Sequence, residues 1–319
     1  MSALFHAAAP DAAFALRRPH CAVVTILALF GPTGVGKTAL ALAVADRLRE
    51  RGERPVAVSA DALQVYRGLE ILSGAADADD RARLEHRMIG IVGVRERFSV
   101  AQYARRAHAE IDEILDEGGT PIVVGGTGLY LRAALAELDL RPPPPPGVRE
   151  ALMADAQARG PETLHAELAI RAPGVAATID PRDRHRVVRA LELEAQGVLD
   201  DRPPGENRLW TADTRRPTRL IALTMDRERL KARIDARVDA MLAAGALTEV
   251  RAADAAGASV TARKALGFQE LLDGDVDAMK VRTRQYARRQ LTWLRKLAGV
   301  DHVDLTDRAP EDVARELLG

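Results

Sequence analysis

Residues 22–30, AVVTILALF, form an unbroken apolar and β-branched run, the pattern of a strand buried on both faces. Apolar residues then recur at helical spacing through KTALALAVADRLRERG until Gly52, so the chain reads strand, loop, helix. RPVAVSAD follows as a second short buried strand. The alternation predicts a parallel sheet covered by helices on both faces. Ser99 is placed to cap a helix in which Ala107, Ile111, Ile114 and Leu115 make the apolar stripe and Gly118 marks the end. TPIVVGGTGLYL then predicts a third strand that breaks into glycine.

Five consecutive prolines in RPPPPPGVREAL interrupt this rhythm, because such a run fits neither sheet nor helix and forms a stiff extended connector. From there to about DRPPGENRLW only helical patterns occur, including DPRDRHRVVRALELEAQG, where Pro181 suits a first turn. TRLIALTM returns as a strand, and Asp226 is placed to cap a long helix with Leu230, Ile234, Val238 and Met241 on one side. The expected division is a core of residues 23–140 and 206–319, with its C-terminal helices, and a helical insertion of residues 141–205. The Ala-rich residues 1–22 lack a charged start, apolar core and cleavage site, and are expected to be a disordered extension rather than a secretory signal.

GPTGVGKT, from Gly31 to Thr38, fits GxxxxGK[ST] between that strand and helix. Gly31, Gly34 and Gly36, with Pro32, Thr33 and Val35 between them, allow a tight turn whose amides converge on a phosphate. Lys37 adds a point charge, and Thr38 can hold Mg2+. The fold class is therefore α/β: a P-loop NTPase-like parallel sheet flanked by helices, with an inserted all-helical subdomain. A phosphoryl-transfer enzyme of this kind usually carries an acid at the end of another strand, yet PIVVGGTG ends in Gly125, Gly126 and Thr127. The carboxylate at a strand end is Asp61, which could serve magnesium, act as a general base, or merely cap the next helix.

The 319 residues include 46 basic and 46 acidic side chains, a net charge of zero, so a nucleic-acid surface must be a local concentration of cations. One candidate is RTRQYARRQLTWLRK, with Arg282, Arg284, Arg288, Arg289, Arg295 and Lys296, no acid, and Tyr286 and Trp293 interleaved. Trp293 is expected in the core beside Leu291 and Leu294. Another is HRVVR, from His185 to Arg189, which is either a solvated helix face or a set of phosphate contacts. The single Cys21 excludes internal disulfides and cysteine-rich zinc sites and fits a reducing cytosol. No run is long enough for a membrane span.

GPTGVGKT, SADALQVYRGLEI, GGTGLYLRA, DPRDRHRVVRALE, MDRERLKARIDARVDAML, KALGFQEL and YARRQLTWLRK together resemble the tRNA dimethylallyltransferases, from about Leu27 to Lys296. The resemblance implies a cytoplasmic, monomeric enzyme that moves a dimethylallyl group from dimethylallyl diphosphate to N6 of the adenosine 3′ to the anticodon, with Mg2+. It implies Asp61 as catalytic base, and Lys37, Thr38 and Arg227 acting on the diphosphate that Gly31–Thr38 cradles. On its own, Arg227 reads as a solvated first-turn arginine. The tRNA anticodon stem-loop would meet Asp61, Ala62, Leu63, Gln64, Thr127, Arg149, His185, Arg186, Val187, Val188, Arg189, Lys264, Ala265, Leu266, Gly267, Phe268 and Gln269.

Three departures from the family pattern stand out. Ala62 replaces a common serine, ILSGAADADD replaces a segment with threonine and lysine while keeping a hydroxyl at Ser73, and Phe268 replaces tyrosine while keeping a stacking face. The rivals are a small-molecule kinase with ATP in the loop, an adenylate isopentenyltransferase, which needs neither the insertion nor the basic stripe, and a non-catalytic RNA-binding protein.

Overall fold

The computed structural model describes residues 26–141, 143–200 and 209–319; the expected extension 1–22 lies outside them. The strands are β1 (Ile26–Phe30), β2 (Arg54–Ser59), β3 (Tyr66–Arg67), β4 (His86–Arg87), β5 (Val92–Gly93), β6 (Gly119–Gly125), β7 (Thr218–Thr224) and β8 (Val300–Asp304). Six make one sheet in the order β4-β2-β6-β1-β7-β8, every pairing parallel, while β3 and β5 pair separately. β1 is central and wholly buried. Its Ile26, Ala28 and Phe30 enter the core on one face, and Leu27 and Leu29 enter a second core on the other.

The first half of the core carries α1 (Lys37–Glu50), the short α2 (Glu70–Ser73) and α3 (Ala78–Arg83), α4 (Val100–Asp116) and α5 (Gly128–Leu135). The inserted helical subdomain is α6 (Val148–Arg159), α7 (Pro161–Arg171), α8 (Pro173–Ala176) and α9 (Arg184–Ala195). The core resumes with α10 (Arg227–Ala243), α11 (Ala246–Ala255), a 3-10 turn at Ala262–Lys264, α12 (Phe268–Leu272), α13 (Val276–Leu294) and α14 (Pro310–Leu318). Among the described residues no helix is long and apolar enough to cross a membrane.

Local signals explain several boundaries. Ser99 starts α4 with a full capping box to Gln102, and the Asp226 carboxylate caps α10 by accepting from Glu228 N and Arg229 N at 3.0 Å each. The expected place of Pro181 is corrected: α9 begins at Arg184 under an Asp183 cap, and Pro181 lies in the turn before it. The subdomain has its own apolar core, which includes Leu164, Leu168, Val187, Val188 and Leu191. Beside that core Glu192 is fully buried and receives Arg149 Nη2 and Arg189 Nη1, both at 2.9 Å. A carboxylate taken out of water needs such paired cations, and the Arg149 pair bolts α6 to α9.

Candidate active site

Register brings the C-terminal strand ends together: Phe30 of β1 aligns with Gly125 of β6 and Ala222 of β7, and Ser59 of β2 aligns with Val124. The glycine loop, Asp61 and Thr127 therefore leave the sheet at one edge, the edge where open parallel sheets bind ligands. In the loop Gly34 and Gly36 take φ of 81° and 109°, values that favour glycine. The loop leads into the N-terminus of α1 at Lys37, which sets unpaired amides and the positive helix end toward the cavity. Lys37 Nζ donates to Gly31 O and Pro32 O, each at 2.9 Å. Burial first, then the Arg237 charge, push Lys37 down to about 7 against the opposing pull of Asp61.

Asp61 is held rather than free. Its Oδ1 accepts Leu63 N–H at 2.9 Å, and Thr127 Oγ1 lies 3.5 Å from its Oδ2 and 3.1 Å from the Tyr286 hydroxyl. Behind it, Tyr103 of α4 donates to Ser59 O at 2.9 Å and fixes the end of β2. α13 supplies the facing wall, where the buried Gln290 amide accepts Thr33 N–H at 2.9 Å and donates to Gly126 O at 2.8 Å. The glycines of GGTG make room for this helix. A Cβ at Gly126 would sit 2.3 Å from Gln290 Nε2, and one at Gly128 2.2 Å from the Trp293 ring.

α10 supplies the cations, but not the expected one. Arg227 is exposed in the first turn and lies outside the cavity lining. Ten residues on, about 15 Å along the axis, Arg237 lines the cavity and donates to Gly74 O at 3.1 Å, while its buried Nε has no partner among the described residues. Arg233, one turn earlier on the same face, donates to Gly34 O at 2.8 Å. The sequence pattern in fact carried this signal, since Arg233 and Arg237 flank the buried Ile234 and Val238 and must share the inward edge of the helix.

The cavity between these walls measures about 740 Å3. Its polar side includes Thr33, Gly34, Lys37, Thr38, Asp61, Gln64, Arg233, Arg237, Tyr286 and Gln290, and its apolar side includes Leu63, Leu72, Val238, Met241, Leu266 and Met279. Ser73 also faces it, with its hydroxyl on Glu70 O at 3.3 Å. The unusual segment around Ser73 is seated by Glu249, whose carboxylate accepts Ile71 N–H at 2.9 Å and Leu72 N–H at 2.8 Å.

The expected RNA-contact residues divide sharply. Gln64 lines the cavity with Oε1 accepting from Ser59 Oγ at 2.7 Å, Leu63 is beside it, and Ala62 packs half-buried against the core. Lys264 and Gln269 are exposed and Leu266 reaches the cavity, whereas Ala265 and Gly267 are buried. The stacking face expected at Phe268 is corrected. Gly267, at φ 95°, turns the chain inward, Phe268 is 0% exposed, and the Arg263 guanidinium covers its ring at 5.4 Å.

Within HRVVR, His185 and Arg186 are exposed, but Val187 and Val188 are core side chains and Arg189 holds Glu192. Arg149 is likewise engaged with Glu192 rather than unpaired. The basic stripe also thins, because Arg282 pairs with Glu270 and Arg284 with Asp235. Arg288, Arg289, Arg295 and Lys296 remain exposed, while Trp293, expected in the core, is half-buried against it and packs on Trp210 at 4.6 Å.

The profile of a family described as IPP transferase matches residues 64–297. A tRNA dimethylallyltransferase of Anaeromyxobacter dehalogenans is 44% identical over 284 residues, spanning 85% of this chain and 91% of that one. The chain belongs to the IPP transferase family. A tRNA dimethylallyltransferase of Kineococcus radiotolerans is 38% identical over 308 residues, spanning 92% and 96% of the two chains. The crystal structure of the full-length tRNA isopentenylpyrophosphate transferase from Bacillus halodurans superposes with a TM-score of 0.66 at 33% identity, covering 92% of this chain and 94% of that one. Membership makes the chain an enzyme of the prenyl-transferring class. Gln290, Arg233 and Arg237 are thus candidate site residues of an IPP transferase that sequence reasoning did not single out, and Tyr286, expected only as an aromatic of the basic stripe, lines the cavity.

Proposed function

We propose that this protein transfers a dimethylallyl group from dimethylallyl diphosphate to N6 of the adenosine 3′ to the anticodon in tRNA, giving N6-isopentenyladenosine and diphosphate. The observation that carries this is a phosphate cradle and a held carboxylate, Asp61, sharing one cavity with an apolar side. Leu72, Val238, Met241, Leu266 and Met279 suit a branched hydrocarbon, and no acid stands at the end of β6 where phosphoryl transfer would want one.

In this reading the diphosphate lies against the Gly31–Thr38 loop, with Lys37, Arg233 and Arg237 around it. The adenine amino nitrogen attacks the allylic carbon, and the carbon–oxygen bond breaks with its electron pair leaving on the diphosphate. The N6 proton passes to Asp61. Fixed cations facing the leaving oxygens stabilise charge as it develops.

The described residues hold no cluster of three or more His, Cys, Asp or Glu that could cage a metal. Mg2+ needs none here, since it commonly takes one or two protein oxygens and completes its shell from phosphates and water. The Thr38 hydroxyl, lining the cavity next to Lys37, fits that use. When bound, the ion would neutralise the departing diphosphate.

The target adenosine must leave its stack to reach Asp61. His185 and Arg186 on the insertion, Lys264 and Gln269 on the 262–269 segment, and the cationic side of α13 are the proposed RNA grips, and they favour tRNA over a free nucleotide. Incubating tRNA with dimethylallyl diphosphate and Mg2+, followed by nucleoside mass spectrometry, tests this by the appearance of isopentenyladenosine. Prenylated AMP with unmodified tRNA would instead establish an adenylate isopentenyltransferase, and γ-phosphate transfer from ATP a kinase.

A further inference from the structure

Thr127 stands at the N-cap of α5, where threonine ordinarily turns its hydroxyl onto the first-turn amides, yet it makes no such bond. Its Oγ1 instead lies 3.1 Å from the Tyr286 hydroxyl and 3.5 Å from Asp61 Oδ2. A local rule is broken, and the side chain is diverted into the cavity. Such exceptions concentrate where a side chain is needed for something else.

Proton counting then fixes a direction. A threonine hydroxyl has one proton and an ionised carboxylate has none. When Thr127 donates to Asp61, the proton between Thr127 and Tyr286 must come from Tyr286, so the chain runs from tyrosine to threonine to carboxylate. Burial and the Asp61 charge push Tyr286 up to about 12, which keeps it a donor. Asp61 Oδ1 is already fixed by Leu63 N–H at 2.9 Å. Gln290, one turn along α13 from Tyr286, holds Gly126 O at 2.8 Å and keeps the backbone beside Thr127 in place. Lys37, Arg237, Tyr103 and Tyr130 also feel the Asp61 charge, but Tyr286 is the one of these aromatic and cationic groups bonded to Thr127.

We infer that Tyr286 is a positioning residue: by donating to Thr127 it commits the threonine proton to Asp61, and so orients the carboxylate that receives the amino proton of the acceptor base. This rests on the prenyl-transfer reading above. The test compares the full-length wild type with Tyr286→Phe, Thr127→Val and the double variant, by rate of tRNA prenylation and by thermal melting. The phenylalanine keeps the ring that the Arg289 guanidinium covers at 5.6 Å, so the melting temperature is expected to hold.

Tyr286→Phe should lower kcat about tenfold, as expected for losing a hydrogen bond relayed to a charged group, with KM for both substrates within about twofold of wild type. Because Tyr286 acts through Thr127, the double variant should be no slower than Thr127→Val alone. Unchanged kcat in Tyr286→Phe, a loss confined to KM, or losses that multiply in the double variant would each overturn the inference. A wild type that leaves tRNA unprenylated would overturn the functional reading instead.

Discussion

Lys37 ties diphosphate binding to a proton. Its ammonium is desolvated beside the Arg237 guanidinium and is pushed down to about 7 from 10.5, with Asp61 only partly compensating. At pH 8 a group with that pKa is about 90% neutral. An arriving diphosphate adds negative charge against Nζ and draws the pKa back up, so binding should take up about 0.9 proton at pH 8. Above pH 7, affinity should fall by up to about tenfold per pH unit until the bound-state pKa is reached. The sign for stability follows from the same depressed value. Between about 7 and 10.5 the unfolded chain holds more protons than the folded one, so the contribution of Lys37 rises with pH through that window and is smallest below 7. Titration calorimetry of dimethylallyl diphosphate without Mg2+ at pH 8, in HEPES and in Tris, gives the proton count from the dependence of the binding heat on buffer ionisation enthalpy. A count near zero, or the same uptake in Lys37→Met, would refute this account of Lys37.

Three substitution experiments probe the rest of the site. Gln290→Leu leaves Thr33 N–H and Gly126 C=O without their shared partner, and should lower the unfolding free energy by about 2–4 kcal/mol in urea titrations while weakening diphosphate binding. Arg237→Met should raise the dissociation constant for the diphosphate by about tenfold or more, whereas Arg227→Met, exposed at the far end of the same helix, should change it less than about twofold. Neutralising Arg288, Arg289 and Arg295 together should reduce the slope of log affinity for tRNA against log salt by about 2 to 3. Fluorescence anisotropy over a salt series measures it, and neutralising the ion-paired Arg282 and Arg284 should reduce the slope much less.

The sheet, the phosphate loop and the position of Asp61 were legible because each depends on short-range pattern. A continuous apolar strand, glycine spacing and a carboxylate at a strand end are each defined by a few consecutive residues. The elements that escaped depend on distance or on polarity at an edge. β8 carries Asp301, His302 and Asp304, so nothing in its pattern marks a strand, although an edge tolerates those residues. Gln290 meets Thr33 across 257 positions, a contact that no local rule announces. Phe268, Val187 and Val188 fall among the expected RNA contacts because they sit inside contiguous motifs, yet the fold turns some members of a motif inward and leaves others at the surface. Arg227, which on its own reads as a solvated first-turn arginine, is exposed as that reading has it; its diphosphate role came from the resemblance alone, and helical phase is what brings Arg233 and Arg237 to the cavity.

α13 carries Met279, Thr283, Tyr286 and Gln290 on the cavity and Arg288 and Arg289 on the exterior, with Arg295 at its C-cap. Both sets ride one axle. A roll of about 10° would move a hydroxyl some 6 Å from the helix axis by roughly 1 Å, a displacement of the size that can cost about a hundredfold in rate when a reacting group is misplaced. In the proposed function, grip on the RNA and aim at the base are therefore geared together. Inherited changes that re-seat this helix to suit a different anticodon loop must pass through the chemistry on its inner side, whereas changes on α9 can retune the grip without touching the gearing.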